Sequence, residues 1–298
     1  MIAFVAASPS VDRLHEIEAL RPGTIHRPEH VVAVPGGKAL NAARAAHGLG
    51  GSVRAVALLG GHAGRWIADR LAAEGIELDP VAGPGETRMS LSVAAGGPLT
   101  EFYEPAPEID AAHWATLEAA VERTAATARW VAISGSLPPG APTDAYRRLV
   151  RIARGGGARV ALDARGDGLA AGLRAAPDFV KVNAAEAAEL GLADAQALRA
   201  AAGGGEHTAA ITHGAEGIEL ATPDGRVARA APPALGRYPV GSGDAALGGF
   251  LTALDVGGDW GAALALATGA AAANAEVPGA GRLDGARAAA LALEVRAV

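Results

Sequence analysis

Apolar, strand-forming runs alternate with helix-forming stretches along most of this chain, and that alternation constrains the fold more than any other feature. Buried strands are predicted at Ile2–Ala7, Val53–Leu59, Trp130–Ser134, Arg159–Asp163, Phe179–Val182 and Thr208–Thr212. Helices are predicted at Asn41–Leu49, Gly64–Glu74, Ala111–Ala128, Thr143–Arg154, Ala184–Leu190, Ala245–Leu254, Trp260–Ala275 and Asp284–Val295. Strands of this kind, each followed by a helix, form a largely parallel sheet covered by helices. The expected class is α/β, with a doubly wound, mostly parallel sheet. Two stretches break the rhythm: around 13–34 and 88–104, strand-like runs such as His30–Val34 and Met89–Val93 have no helix between them. They are expected to form a small β-sheet that serves as a lid or a dimer contact.

With 298 residues, half of them apolar, the chain can bury one large core, so a single domain over 1–298 is expected. There is no cysteine, which excludes disulfides, thiol catalysis and cysteine-ligated metals and makes a cytoplasmic setting the expectation. Met1–Ala7 lacks a basic leader and reads as a first strand. The apolar stretch Gly261–Ala275 is too short to span a bilayer. A net charge of −6 offers no basic field for nucleic acid.

The most specific local signal is Tyr238-Pro239-Val240-Gly241-Ser242-Gly243-Asp244, which opens onto the apolar stretch Leu247–Leu254. Glycines directly before a helix free backbone N–H groups to hold an anion such as a phosphate. Asp244 reads in two ways, as a helix cap or as a base beside a bound phosphoryl donor. In the second reading it takes the proton of an alcohol that attacks the γ-phosphate.

Of the 26 lysines and arginines only Lys38 and Lys181 are lysine, which leaves 24 arginines. A compact ammonium and a planar guanidinium are not interchangeable at a packed phosphate site, so both lysines are candidates for one. Pro35-Gly36-Gly37-Lys38-Ala39-Leu40-Asn41 is no Walker A loop, because Val32 stands at its first glycine and Ala39 at its metal-binding hydroxyl. It reads as a ligand-binding turn or as a plain Gly-Gly turn. Asn183 and Glu186 sit one helical turn apart and read as magnesium ligands or as a capping box. Arg88 can grip a phosphate or close a turn, and Asp12 can bind sugar hydroxyls or stabilise a turn. Asn274, in an alanine-rich helix, faces either a nucleotide base or water.

Two patterns mislead. His26-Arg27-Pro28-Glu29-His30 spells a zinc motif, but Pro28 breaks the helix that motif needs. Gly241–Ala246 spells a dinucleotide fingerprint, which opens the alternative of a nucleotide-dependent oxidoreductase, yet Tyr238-Pro239-Val240 is a poor core strand to precede it.

In order along the chain, these motifs resemble the ribokinase-like (PfkB) carbohydrate kinases, in the branch of 1-phosphofructokinase and tagatose-6-phosphate kinase. The resemblance covers nearly the whole chain and includes Ser8–Asp12, Gly36–Lys38 with Asn41, Gly85–Arg88 and Glu104–Pro107. It continues through Ser134–Gly140, Lys181–Asn183 with Glu186, Thr212–Gly214 with Gly217, and Val240–Asp244. It implies ATP and Mg2+ as cosubstrates, Asp244 as general base, and Gly241, Ser242 and Gly243 as the anion hole. It further implies sugar contacts from Asp12, Gly37 and Asn41, and a phosphosugar clamp of Lys38 with Arg88. Lys181, Asn183 and Glu186 are implied at the ATP phosphates and magnesium, the last two directly or through water. Thr212, Gly214, Gly217 and Asn274 are implied on the nucleotide side.

The acceptor that the resemblance implies is fructose 1-phosphate, with tagatose 6-phosphate, fructose 6-phosphate or an unphosphorylated sugar or nucleoside as alternatives. A non-catalytic sugar sensor on the same fold is a reading of another class. A homodimer through the lid is a further implication. The sequence departs from the family at Ser8, usually Asn; Ala39, usually Gly; Ser90, usually Asn; Arg165, usually Ser; and His213, usually apolar.

Overall fold

The computed structural model describes residues 1–97 and 99–295. Its strands are β1 (Ile2–Ala6), β2 (Ser10–Glu16), β3 (His30–Gly36), β4 (Val53–Leu59), β5 (Glu77–Ala82), β6 (Met89–Ala94), β7 (Thr100–Tyr103), β8 (Trp130–Ser134), β9 (Arg159–Asp163), β10 (Phe179–Asn183), β11 (Thr208–Thr212), β12 (Ile218–Ala221) and β13 (Val227–Ala230). Its helices are α1 (Lys38–Gly48), α2 (Gly61–Ala73), α3 (Ala111–Ala125), α4 (Ala145–Gly155), α5 (Gly166–Leu173), α6 (Ala184–Glu189), α7 (Ala195–Ala201), α8 (Ser242–Asp255), α9 (Trp260–Glu276) and α10 (Gly285–Glu294).

Nine strands form one sheet in the order β13-β12-β11-β10-β9-β8-β1-β4-β5. All pairs from β5 to β11 are parallel, and only β12 runs against its neighbours. The fully buried strands β1 and β8 lie in the interior of the sheet, as their apolar sequences require. One apolar core packs α3, α4, α5 and α7 on one face of the sheet, and a second packs α1, α2, α8 and α9 on the other. In the second core Phe179 stacks at a tilt on Phe250 and Trp260, with ring centroids 5.0 and 5.2 Å apart. Burying each of the two phenylalanine rings, both fully enclosed, stabilises the fold by about 1.5–3 kcal/mol.

Winding proceeds from β1 through β4 to β5 in one direction and from β8 through β11 in the other. The strand order therefore reverses at the β1–β8 pair, and ligands of open α/β sheets bind beyond the strand ends at such a point. The second sheet, in the order β3-β2-β6-β7, projects beside that point. Its central pair β2–β6 is parallel and its outer pairs are antiparallel.

The doubly wound sheet and the small separate sheet are as the sequence predicts, with helix ends shifted by a few residues. The small sheet starts earlier than expected, at Ser10, so Asp12 lies within β2 and not in a turn. Strands β5, β12 and β13 and helices α5 and α7 were not predicted. Edge strand β5 holds Pro80 after the charged Glu77 and Asp79, a poor strand signal, and α5 and α7 are too short to show a helical period. No helix among the described residues is long and apolar enough to cross a membrane.

Candidate active site

Gly241 enters α8 at φ 83°, in the left-handed region, and a Cβ on it would lie 2.8 Å from the Ala280 Cα, so glycine is required there. The loop then presents free donors. Ser242 N–H is bonded to Pro239 O at 3.1 Å, whereas no acceptor among the described residues takes the N–H of Gly243 or Asp244. These two amides lie at the positive end of a fourteen-residue helix, a geometry that suits an anion and gives the loop its name here, the cradle. Ser242 does not extend it as expected, because its hydroxyl also turns away to Ala271 O.

Asn274 locks this loop from behind. It is fully buried; its amide donates to Val240 O at 3.0 Å and Ser242 Oγ at 3.2 Å, and its Oδ1 accepts from Gly281 N at 2.8 Å. Expected as a nucleotide contact, Asn274 has its polar atoms engaged by this loop and lines neither of the two clefts described below.

Asp244 is buried at the first turn of α8, with its Oδ2 3.0 Å from Nδ2 of Asn41 on α1. Burial pushes its carboxyl up to about 7, and the nearby charge of Asp163 adds to the rise; Lys181, Lys38 and the Asn41 hydrogen bond hold it from going further. A carboxyl poised there suits a general base at neutral pH. Oδ1 of Asn41 is buried without a hydrogen-bond partner, a lone acceptor beside the Asp244 carboxyl.

The two lysines of the chain converge on one carboxylate that sequence reading passed over. Asp163, fully buried at the end of β9, receives Lys38 at 3.0 Å and Lys181 at 2.6 Å. Burial alone would raise its pKa, but the two ammonium groups outweigh that and hold it below the ordinary carboxylate range. Lys38 also reaches Glu186 at 2.6 Å, and its side chain is 31% exposed against 3% for Lys181. Lys181 lies beneath the cradle, where a Cβ on Gly243 would come within 3.5 Å of its Nζ. It acts on that loop through charge and is not exposed to a ligand as expected. The signal for Asp163 was there to read: a chain that uses arginine almost everywhere keeps lysine where two cations must crowd one carboxylate.

One cleft is lined by Asp12, Gly37, Lys38, Asn41, Arg88 and Asp244, which gathers every residue expected on the acceptor side together with the base. Asp12 accepts from Ser10 Oγ at 2.5 Å and Gly37 N at 3.2 Å. A Cβ on Gly36 would fall 2.0 Å from the Asp12 carboxyl carbon, so glycine makes room for it. Arg88 is held by its neighbours: Thr87 Oγ1 bonds both N–H and C=O of Gly60, and Glu86 caps α2 through Ala63 N. The Arg88 guanidinium donates to Ser8 O at 3.3 Å and Ser90 Oγ at 3.4 Å, and its buried Nε has no partner. Lys38, expected with it as one clamp, lines the same cleft and is engaged by Asp163 and Glu186.

A second cleft is lined by Asn183, Thr212, Gly214, Gly217, Ser242 and Gly243, so the cradle loop separates it from the first. Gly217, at φ 97°, leaves no room for a Cβ, which would meet Ala230 O at 2.0 Å. Asn183 and Glu186 form the full capping box of α6: Asn183 Oδ1 accepts from Glu186 N at 2.8 Å and Glu186 Oε2 from Asn183 N at 2.9 Å. The zinc-like run His26–His30 is not helical, and no strand leads into Gly241, which removes the zinc and dinucleotide readings.

The family model for pfkB family carbohydrate kinases matches residues 5–284. The chain belongs to the pfkB family. It is 35% identical over 267 residues to 1-phosphofructokinase of Haloferax volcanii, a match covering 86% of this chain and 85% of that one. Phosphofructokinase-2 from Escherichia coli, solved in complex with fructose 6-phosphate, superposes with a TM-score of 0.87 at 25% identity, over 98% of each chain. A possible 1-phosphofructokinase from Thermotoga maritima gives a TM-score of 0.88 at 20% identity, over 100% of this chain and 99% of that one. As a pfkB kinase the protein is a phosphotransferase that acts on a sugar hydroxyl, with ATP as phosphate donor. The departures from the family lie around both clefts. Ser8 and Ser90 hold Arg88, Ala39 is buried behind the first cleft, Arg165 lines that cleft, and His213 stands 3.9 Å from Glu219 beside the second.

Proposed function

We propose that this pfkB kinase transfers the γ-phosphoryl group of ATP to a ketohexose phosphate, with fructose 1-phosphate as acceptor and fructose 1,6-bisphosphate as product. The observation that carries this reading is a buried Asp244, poised near neutrality, in the same first turn as two free backbone N–H groups and facing a cleft that holds Arg88. The similarity to a 1-phosphofructokinase supports the choice of acceptor.

The acceptor lies in the first cleft, with its hydroxyls on Asp12, Gly37 N–H and Asn41 and its phosphate on Arg88. ATP lies in the second, against Thr212, Gly214 and Gly217, with its γ-phosphate on the N–H groups of Gly243 and Asp244. The acceptor hydroxyl gives its proton to Asp244 as its oxygen attacks the γ-phosphorus, and the bond to the ADP oxygen breaks. Asp244 then releases the proton to solvent. Lys181 and Lys38 place positive charge under and beside the phosphoryl group in transit, where a water-poor setting strengthens it.

The residues present fit magnesium held through water. Asn183 Oδ1 and both Glu186 oxygens already accept hydrogen bonds, and no group of three acidic or histidine side chains among the described residues could hold a metal on its own. Asn183 and Glu186 would orient waters of an ion carried mainly by the ATP phosphates, whose charge that ion offsets.

The small sheet is proposed as a lid that also joins two subunits. Val31, Met89 and Phe102 are exposed apolar side chains on it, a surface more suited to a second copy than to water. A cytoplasmic setting is proposed from the lack of cysteine and the nature of the substrates.

ADP release with Mg-ATP and a panel of fructose 1-phosphate, fructose 6-phosphate, tagatose 6-phosphate, fructose, ribose and adenosine tests this reading. Turnover confined to phosphosugars, highest with fructose 1-phosphate, is expected. Highest turnover on another phosphosugar overturns the acceptor alone, and turnover only on unphosphorylated compounds, or none, overturns the reading.

A further inference from the structure

The first cleft contains two arginines that form no ion pair with a carboxylate among the described residues, although Asp12 and Glu104 lie near enough to Arg88 to act on its charge. Arg88 reaches only neutral oxygens, those of Ser8 and Ser90. Arg165 stands at the N-terminal boundary of α5 and is exposed to the same cleft, and no hydrogen bond or ion pair among the described residues involves its guanidinium. Lys38 differs from both, because Asp163 and Glu186 already offset its charge.

The segment Ser134–Pro139 connects the two arginines along one wall. At one end Gly135 N donates to Asp163 O at 3.0 Å, just ahead of Arg165, and Tyr146 holds Gly135 O from behind. Helix α5 packs against this segment so closely that a Cβ on Gly168 would meet Tyr146 at 2.8 Å and Leu137 at 3.8 Å. At the other end Pro138 and Arg88 line one small recess. Arg165 does not line the second cleft, where the nucleotide is proposed to bind.

Resting on the kinase reading above, we propose that Arg165 is a second phosphate-gripping residue of the acceptor cleft and acts with Arg88 on the phosphate that the acceptor brings with it. A phosphate monoester carries about −1.5 to −2 charges near pH 7, so one guanidinium leaves it partly uncompensated and two match it. The planar fork of each arginine suits the oxygens of that group. Arg165 adds a full positive charge to the wall that faces the acceptor. Arg165 thus sets specificity for a phosphorylated over an unphosphorylated sugar.

The test is steady-state kinetics of the full-length enzyme and of Arg165→Ala and Arg165→Lys, using the phosphosugar with the highest kcat/KM in the panel. For Arg165→Ala the expected result is a rise in KM for the phosphosugar of roughly tenfold or more, with KM for ATP within about twofold of wild type. Arg165→Lys, which keeps the charge and loses the fork, should recover part of the loss. A rise in KM for ATP with an unchanged phosphosugar KM overturns the assignment and moves Arg165 to the donor phosphates. Unchanged values for both substrates overturn it as well. Lack of turnover by the wild-type enzyme with every phosphosugar overturns the kinase reading and this inference together.

Discussion

The side-chain amide of Asn41 donates to the Asp244 carboxylate at 3.0 Å, linking the first helix of the chain to the one that carries the proposed base. The bond fixes one oxygen of Asp244 and leaves Oδ1, which accepts no hydrogen bond among the described residues, to meet an acceptor hydroxyl. A hydrogen bond to a charged group contributes about 1.5–3 kcal/mol. Asn41→Ala should therefore lower kcat by roughly 10- to 150-fold and move the acidic limb of the pH profile upward, with KM for ATP unchanged. Steady-state kinetics across pH checks both effects.

Activity should follow the ionisation of Asp244. Because its pKa is raised to about 7 and the base must be unprotonated, kcat/KM for the sugar phosphate should fall about tenfold per pH unit below that point and level off above it. A profile flat from pH 5 to 8 would contradict the assignment.

The same shift makes stability depend on pH. Folded Asp244 holds a proton between its ordinary pKa of 3.8 and about 7, a range in which the unfolded chain has released it. The contribution is full below the unfolded value and is lost as pH rises through the folded one. Asp244→Asn removes this dependence, so its stability relative to wild type should improve from pH 5 to pH 8, by ~1–4 kcal/mol. Denaturant unfolding at the two pH values measures it.

Lys181 is buried against Asp163, and removing it leaves Lys38 alone to offset both Asp163 and Glu186, one buried negative charge in excess. Lys181→Met should destabilise the fold by about 3–5 kcal/mol, and the double variant with Asp163→Leu by less than the sum of the single changes. A double-mutant cycle in urea provides the check.

Asn274 separates a structural role from a ligand contact. Asn274→Ala should lower Tm and kcat by loosening Gly241–Asp244, while the affinity for ADP stays within about threefold. A large loss of ADP affinity with unchanged Tm would restore the nucleotide contact expected from the sequence.

Most of the architecture was legible because the central strands are continuous apolar runs and the long helices carry a clear period. Edge strand β5, with Pro80, and short helices such as α7 left no comparable signal, because their place is set by neighbours in space. For the site, residue types were legible and their connections were not. Lys38 and Lys181 stood out by rarity, but only the folded chain shows that they share Asp163, which lies far from Lys38 in sequence. Asn274 was legible as a polar residue in an apolar helix, but a sequence cannot distinguish a side chain that binds a ligand from one that binds its own backbone. For Asn183 and Glu186 the structure shows the capping box, with one Glu186 oxygen capping α6 and the other receiving Lys38.

The central claim is that Asp244 is the base of a sugar-phosphate kinase, and the most direct test compares wild type with Asp244→Asn in an ADP-release assay with Mg-ATP and fructose 1-phosphate, alongside calorimetric binding of the sugar phosphate. The account predicts a loss in kcat of about 10²–10⁴-fold with binding of fructose 1-phosphate retained. Near-wild-type turnover by Asp244→Asn would contradict it.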